Sequence, residues 1–322
     1  MDASTVLAFQ KAILAGLSCA LSSFILNPID VTKTRMMIQD SKTPVNVGNS
    51  SAIPRYSSFL DGLFSIYKIE GLRGWGRGLE PSMLREITYS SCRMGAYEPI
   101  KNILLRLSSS TDSSGSRSSE NKGDISPFVK FGSALLSGGT GAAFTNPFDL
   151  VKTRFQAVFP GQTPLPYTNT WQALLYIYKN EGGLRGIYKA WEVTCGRAAF
   201  LTSGQLGTYD VFKNNIMIKR FGLNEKQDKA LLHICSAMSA SVVATTASNP
   251  CDVIKSRYMS DMIDGKRKYH SLTHCITETY RIDGYKGFLR GWTAAYWRVG
   301  PHTVMSLLLF EKARELCGFD SI

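Results

Sequence analysis

One eight-residue motif constrains this chain more than any other feature. Pro28-Ile29-Asp30-Val31-Thr32-Lys33-Thr34-Arg35 returns as Pro147-Phe148-Asp149-Leu150-Val151-Lys152-Thr153-Arg154 and as Pro250-Cys251-Asp252-Val253-Ile254-Lys255-Ser256-Arg257. The shared pattern is P-x-D-x-x-K-x-R, preceded each time by Asn27, Asn146 or Asn249. The copies lie 119 and 103 residues apart in a chain of 322. A motif at a period near one hundred residues predicts a fold of three copies of one unit.

Each motif closes a charge-free stretch: Ala12–Ile29, Phe131–Phe148 and Ala230–Cys251. Each holds 18 or more residues, about the length that crosses a ~30 Å hydrocarbon core as a helix. They are rich in Gly, Ala and Ser, which let helices approach closely in lipid. The mean hydropathy of −0.07 hides this pattern. One such stretch would read as a buried helix of a soluble protein; three ending at one motif read as membrane helices. The net charge of +12 admits nucleic acid, an anionic membrane or anionic substrates as partners. The seven cysteines are scattered singly, with no metal-ligand spacing, and read as small apolar residues. The N-terminus has neither a secretory pattern nor an Arg-rich presequence, so targeting information is expected to be internal.

Further landmarks keep register across the units. Tyr56 to Glu70, Tyr167 to Glu181 and Tyr269 to Asp283 are each 14 residues. Arg77 to Arg85, Lys189 to Arg197 and Arg290 to Arg298 are each 8; from there Tyr97, Tyr209 and Phe310 are each 12 further on. These aromatics open a second signature, [YF]-[DE]-x-x-[KR]: Tyr97, Glu98, Lys101; Tyr209, Asp210, Lys213; Phe310, Glu311, Arg314. The expected unit is an apolar helix ending near its proline, a polar stretch, a short amphipathic helix stopped at an acid-Gly pair, then a second long helix (about Pro81 to Leu105 in the first). The units are bounded at 1–107, 127–222 and 223–322, with a Ser-rich segment, 108–126, expected to be disordered. An arginine 12 residues along a helix from the second signature lies ~18 Å from it. If that signature sits at one membrane face, Arg85, Arg197 and Arg298 are near the midplane. A charge facing lipid there costs at least ~2.5–3.5 kcal/mol, so the three are expected to face a common polar interior.

These motifs together resemble the mitochondrial carrier family, over essentially the whole chain. The resemblance implies an all-α membrane protein: six transmembrane helices in three pseudo-threefold repeats of about 100 residues, each with a short matrix-side amphipathic helix. It implies a multi-pass place in the mitochondrial inner membrane and transport rather than enzyme activity. It also implies a functional monomer with no metal and no cofactor, bound cardiolipin as a lipid companion, and no nucleic acid partner. Asp30, Lys33, Asp149, Lys152, Asp252 and Lys255 resemble the matrix gate, with Gln156 as a brace beneath it. Tyr97, Glu98, Lys101, Tyr209, Asp210, Lys213, Phe310, Glu311 and Arg314 resemble the cytoplasmic gate. Surface ion pairs are worth only ~0–1 kcal/mol, so such rings can form and break in a cycle. Two brace positions hold Met37 and Met259 instead of glutamine, which predicts a weak matrix gate.

The substrate site implied by the resemblance comprises Arg85, Tyr89, Arg93, Arg197, Ala198, Gln205, Arg298 and His302. Converging guanidiniums favour an anion held in bidentate geometry. Arg93 reads either as a substrate contact or as an ion-pair partner near the cytoplasmic gate. His302 reads either as a proton-coupling group or as a packing histidine. Tyr89 to Tyr97 and Arg197 to Leu206 resemble the dicarboxylate, oxoglutarate and uncoupling-protein branch; Arg298 to Ser306 resembles oxaloacetate carriers. The expectation is a transporter of small dianions (dicarboxylates, oxaloacetate or oxyanions such as sulfate), by exchange or with a proton. The alternatives are an uncoupling-protein-like proton conductor and a non-transporting membrane scaffold.

Overall fold

A computed structural model describes residues 3–39, 56, 58–111, 127–160, 165–211, 229–261 and 268–316. Among them are ten helices and no strand: α1 (Ala3–Ile38), α2 (Phe59–Trp75), α3 (Leu79–Thr111), α4 (Pro127–Ala157), α5 (Thr170–Asn180), α6 (Leu184–Ile187), α7 (Trp191–Val211), α8 (Lys229–Met259), α9 (Leu272–Phe288) and α10 (Trp292–Leu316). Six long helices form a closed ring. α1 packs on α3, α3 on α4, α4 on α7, α7 on α8, α8 on α10, and α10 back on α1. Small residues permit the close approaches: a Cβ added at Gly204 would lie 2.8 Å from the Ala244 Cα across the α7–α8 contact.

The expectation that the apolar helices end near their prolines does not hold. Pro28, Pro147 and Pro250 lie inside α1, α4 and α8, which run on through Lys33, Lys152 and Lys255. A proline removes one backbone donor; packing beyond it keeps the helix. Thr32 and Thr34 donate back to the Pro28 and Asp30 carbonyls at 2.8 and 2.9 Å. α3 begins at Leu79 and reaches Thr111, so the first residues of the Ser-rich segment are helical, while 112–126 lie outside the described residues.

The short helices α2, α5 and α9 pack on α1, α4 and α8. Ser58 and Ser271 cap two of them, accepting from the Asp61 and His274 amides at 3.3 and 3.1 Å. Gly71 (φ 64°) and Gly284 (φ 62°) interrupt α2 and α9 right after the acid, as the acid-Gly pattern predicts. Apolar cores form at this end, around Leu150, Ile177 and Cys275 and around Val31, Ile66 and Phe159. Burial pushes the Cys275 thiol up to about 11.

No helix among the described residues is long and apolar enough to cross a membrane. Length is not what falls short, since the 36 residues of α1 extend about 54 Å. The long helices are instead polarised across their width. Ser22, Asn27, Asp30 and Lys33 of α1 are buried, while Leu17, Leu21 and Phe24 are exposed. Polar atoms therefore line the inside of the ring and apolar side chains its outside.

Candidate functional site

At the motif end, the aspartate and lysine of each P-x-D-x-x-K-x-R copy, six side chains in all, pair between repeats. Lys33 Nζ lies 2.7 Å from Asp252, Lys152 Nζ 2.6 Å from Asp30, and Lys255 Nζ 2.6 Å from Asp149. The helical rise places Asp and Lys, three residues apart, on one face, so α1, α4 and α8 each offer one acid and one base inward. Every lysine reaches the aspartate of a different repeat, which closes the ring.

The arginines expected at the midplane meet this ring directly. Arg85 Nε bonds Asp149 at 2.5 Å, Arg298 Nε bonds Asp30 at 2.7 Å, and Arg197 Nε bonds Asp252. Each aspartate thus holds a lysine on one oxygen and an arginine on the other. Residues of all six long helices line the pocket around this cluster. A second cavity continues from it, lined by Arg85, Glu86, Tyr89, Arg197, Ala198 and Leu201, among others. The Tyr89 ring lies under two cations, Arg85 at 5.7 Å and Arg93 at 5.6 Å from its centroid. It packs on Gly141, where a Cβ would stand 3.3 Å from the ring.

Glu86 belongs to this site and was not among the expected residues. It is 4 % exposed, and its Oε1 accepts from Arg85 Nη1 and, at 2.9 Å, from Arg298 Nη2. Aligning the repeats would have found it: the residue after the central arginine is Glu86, Ala198 or Val299, and only one is charged. His302, one turn beyond Arg298, has Arg298, Glu86 and Asp30 as charged neighbours.

Beneath the ring, Gln156 accepts from Thr34 Oγ1 at 2.9 Å and donates to Asn27 Oδ1 at 3.4 Å. The equivalent positions are filled rather than vacant. Met259 and Met37 are wholly buried, and their sulfurs take the hydroxyls of Thr153 and Ser256 at 3.9 and 3.8 Å. The motif's second cation, its arginine, has a separate partner. Arg35 pairs with Glu70 through two bonds of 2.5 and 3.1 Å, Arg154 with Glu181 at 2.5 and 2.6 Å, and Arg257 with Asp283 at 2.5 Å. Each also donates its Nε to a carbonyl of the next repeat: Gln156, Met259 and Met37. Asn27, Asn146 and Asn249 donate to carbonyls at 75 and 77, 187 and 189, and 288 and 290.

Of the second signature, Lys101 Nζ sits 6.0 Å from the Tyr97 ring centroid. Glu98, Gln205, Tyr209, Asp210, Lys213, Phe310, Glu311 and Arg314 lie outside the residues whose side chains are described.

Comparison with known proteins agrees with this threefold geometry. A family profile described as "Mitochondrial carrier protein" matches residues 4–108, 123–220 and 226–321. A Dictyostelium discoideum protein named "Mitochondrial substrate carrier family protein ucpB" is 33% identical over 97% of this chain and 97% of its own. A probable mitochondrial 2-oxoglutarate/malate carrier of the same organism is 29% identical over 94% of this chain and 88% of its own. The mitochondrial oxaloacetate transport protein of Saccharomyces cerevisiae is also 29% identical, over 96% of this chain and 90% of its own.

Proposed function

The chain belongs to the mitochondrial carrier family, and on that premise we propose that it carries small dianions across the mitochondrial inner membrane by alternating access. The observation that carries this reading is the cluster of Arg85, Arg197 and Arg298 in a pocket lined by all six long helices. Guanidiniums from three repeats converge where a small anion can bridge them. The outside of the ring supports the membrane setting. Phe24, Phe144, Phe200 and Trp297 are about half exposed there, while ion pairs occupy the interior, the reverse of a soluble protein's polarity.

The mechanism follows from shared aspartates. Asp30, Asp149 and Asp252 each hold a central arginine and a ring lysine at once. An anion that takes the arginines removes one of the two bonds on each aspartate. The Lys–Asp pairs then stand alone and can part, opening the matrix end. The aromatic-acid-base signatures at 97–101, 209–213 and 310–314 pair to close the opposite end. Anion binding thus couples the two ends through one set of carboxylates. The relatives' names, 2-oxoglutarate/malate and oxaloacetate, support dicarboxylates as the first candidates to test.

Purified protein reconstituted in liposomes is the test. Malate, oxaloacetate, sulfate or thiosulfate should exchange across the bilayer, and Arg197→Ala or Arg298→Ala should abolish the flux. Proton leak without anion movement would replace this reading with an uncoupling function. No flux under any anion or proton gradient would replace it with a scaffold.

A further inference from the structure

Threefold symmetry is broken inside the site by one carboxylate. The Lys–Asp ring is neutral as a set, three lysines against three aspartates. Above it stand Arg85, Arg197 and Arg298 and, among the described residues bonded to them, one further acid, Glu86. Three guanidiniums and one carboxylate leave +2. Arg93 is exposed, and solvent screens its charge.

We propose that Glu86 is a charge selector: bound between Arg85 and Arg298, it holds the arginine cluster at +2 and fits it to dianions in preference to trianions. The proposal rests on the anion-carrier reading above and names its substrate class more narrowly. Glu86 is buried, so water screens its charge far less than it would at the surface and a bound anion experiences it strongly. It bonds its chain neighbour Arg85 on α3 and reaches Arg298 on α10, so it is fixed where a substrate must bind rather than free to swing away. Its equivalents are Ala198 and Val299, so no structural demand of the repeat requires an acid there. A trianion at this site would leave an excess buried charge, and so would a dianion in a site of +3. Discrimination of this kind is built by making the wrong partner's charge uncompensated.

The test uses two probes of one shape. Propane-1,2,3-tricarboxylate and 3-methylglutarate differ by replacement of a carboxylate with a methyl group. Their affinities for the purified protein are measured by calorimetry at about pH 8, where all carboxyls are ionised. Wild type should favour 3-methylglutarate. Glu86→Gln, which raises the cluster charge by one, should move the affinity ratio about tenfold toward the tricarboxylate, and Glu86→Asp should keep the wild-type ratio. Ala198→Glu, which adds a carboxylate beside Arg197, should move the ratio the other way and gives an answer even if Glu86→Gln does not fold. An unchanged ratio in Glu86→Gln or in Ala198→Glu would overturn the charge selector while leaving the carrier reading intact. Failure of wild type to bind either probe, together with absence of anion flux in liposomes, would overturn the carrier reading and the selector with it.

Discussion

Arg154 shows how much of the motif is scaffold. The side chain is 2 % exposed and forks onto Glu181, itself 6 % exposed, while its Nε reaches the Met259 carbonyl. One residue therefore joins its own repeat's short-helix corner to the next repeat. Removing one partner of a buried pair strands the other charge, at about 3–5 kcal/mol. Glu181→Gln should therefore lower the thermal midpoint in detergent markedly, while Glu181→Asp should recover part of it; an unshifted midpoint for the glutamine would refute this. Cys275 offers a sharper single-residue check. It is fully buried and its thiol lies near 11, so little reactive thiolate exists at neutral pH. A thiolate-directed maleimide should leave Cys275 unlabelled in the folded protein and label it after unfolding. Labelling at equal rates in both states would contradict the packing described here.

Among elements, the starts of α3, α7 and α10 are the most exacting. Gly78, Ala190 and Gly291 precede α3, α7 and α10 and all adopt positive φ, at 67°, 62° and 71°. At Gly78 a Cβ would also stand 3.0 Å from Gln156 Cγ and 3.2 Å from the Lys152 carbonyl oxygen. Gly78→Ala should then cost about 1–2 kcal/mol from the left-handed backbone alone, plus whatever the crowding of Gln156 adds. A thermal scan that left the midpoint unmoved would rule it out. Ala190 holds the same backbone with a side chain, and it survives because the second repeat packs its methyl into the core beside Val193 and Tyr167. The motif-bearing helices α1, α4 and α8 teach a related lesson. Their prolines read locally as helix ends, yet asparagines and hydroxyls around them tie the helix into its neighbours, and tertiary contacts outweigh propensity.

At the scale of the whole molecule, the ring and the central arginines act as one cluster rather than two separate devices. Asp30 serves Lys152 and Arg298 together. Exchanging charges in the pair, Asp30→Lys with Lys152→Asp, restores that contact but sets a lysine against Arg298. The double variant should recover less than half of the stability lost in either single one, measured as thermal midpoint, and should not restore anion flux. Full rescue would show that Arg298 and Asp30 are not coupled. Adding Arg298→Gln to the swap should relieve the clash and raise the midpoint again.

The sequence alone determined the repeat and the convergence of the three arginines, because a motif kept at fixed spacing in three units must occupy equivalent places; the choice of the aspartates and lysines as the ring came from the family resemblance. It also marked the acid-Gly corners, since glycine after an acid at constant distance signals a positive-φ break. It could not show that each aspartate is shared between a lysine and an arginine of two other repeats, nor that Arg35, Arg154 and Arg257 belong to the corners instead of the ring. Those facts join residues from 26 to 268 positions apart. Glu86 lay between the two kinds of knowledge. Its lack of counterparts was legible in the sequence, but only the closed ring of helices brings Arg298 to it from the far end of the chain, and that contact gives the carboxylate its meaning.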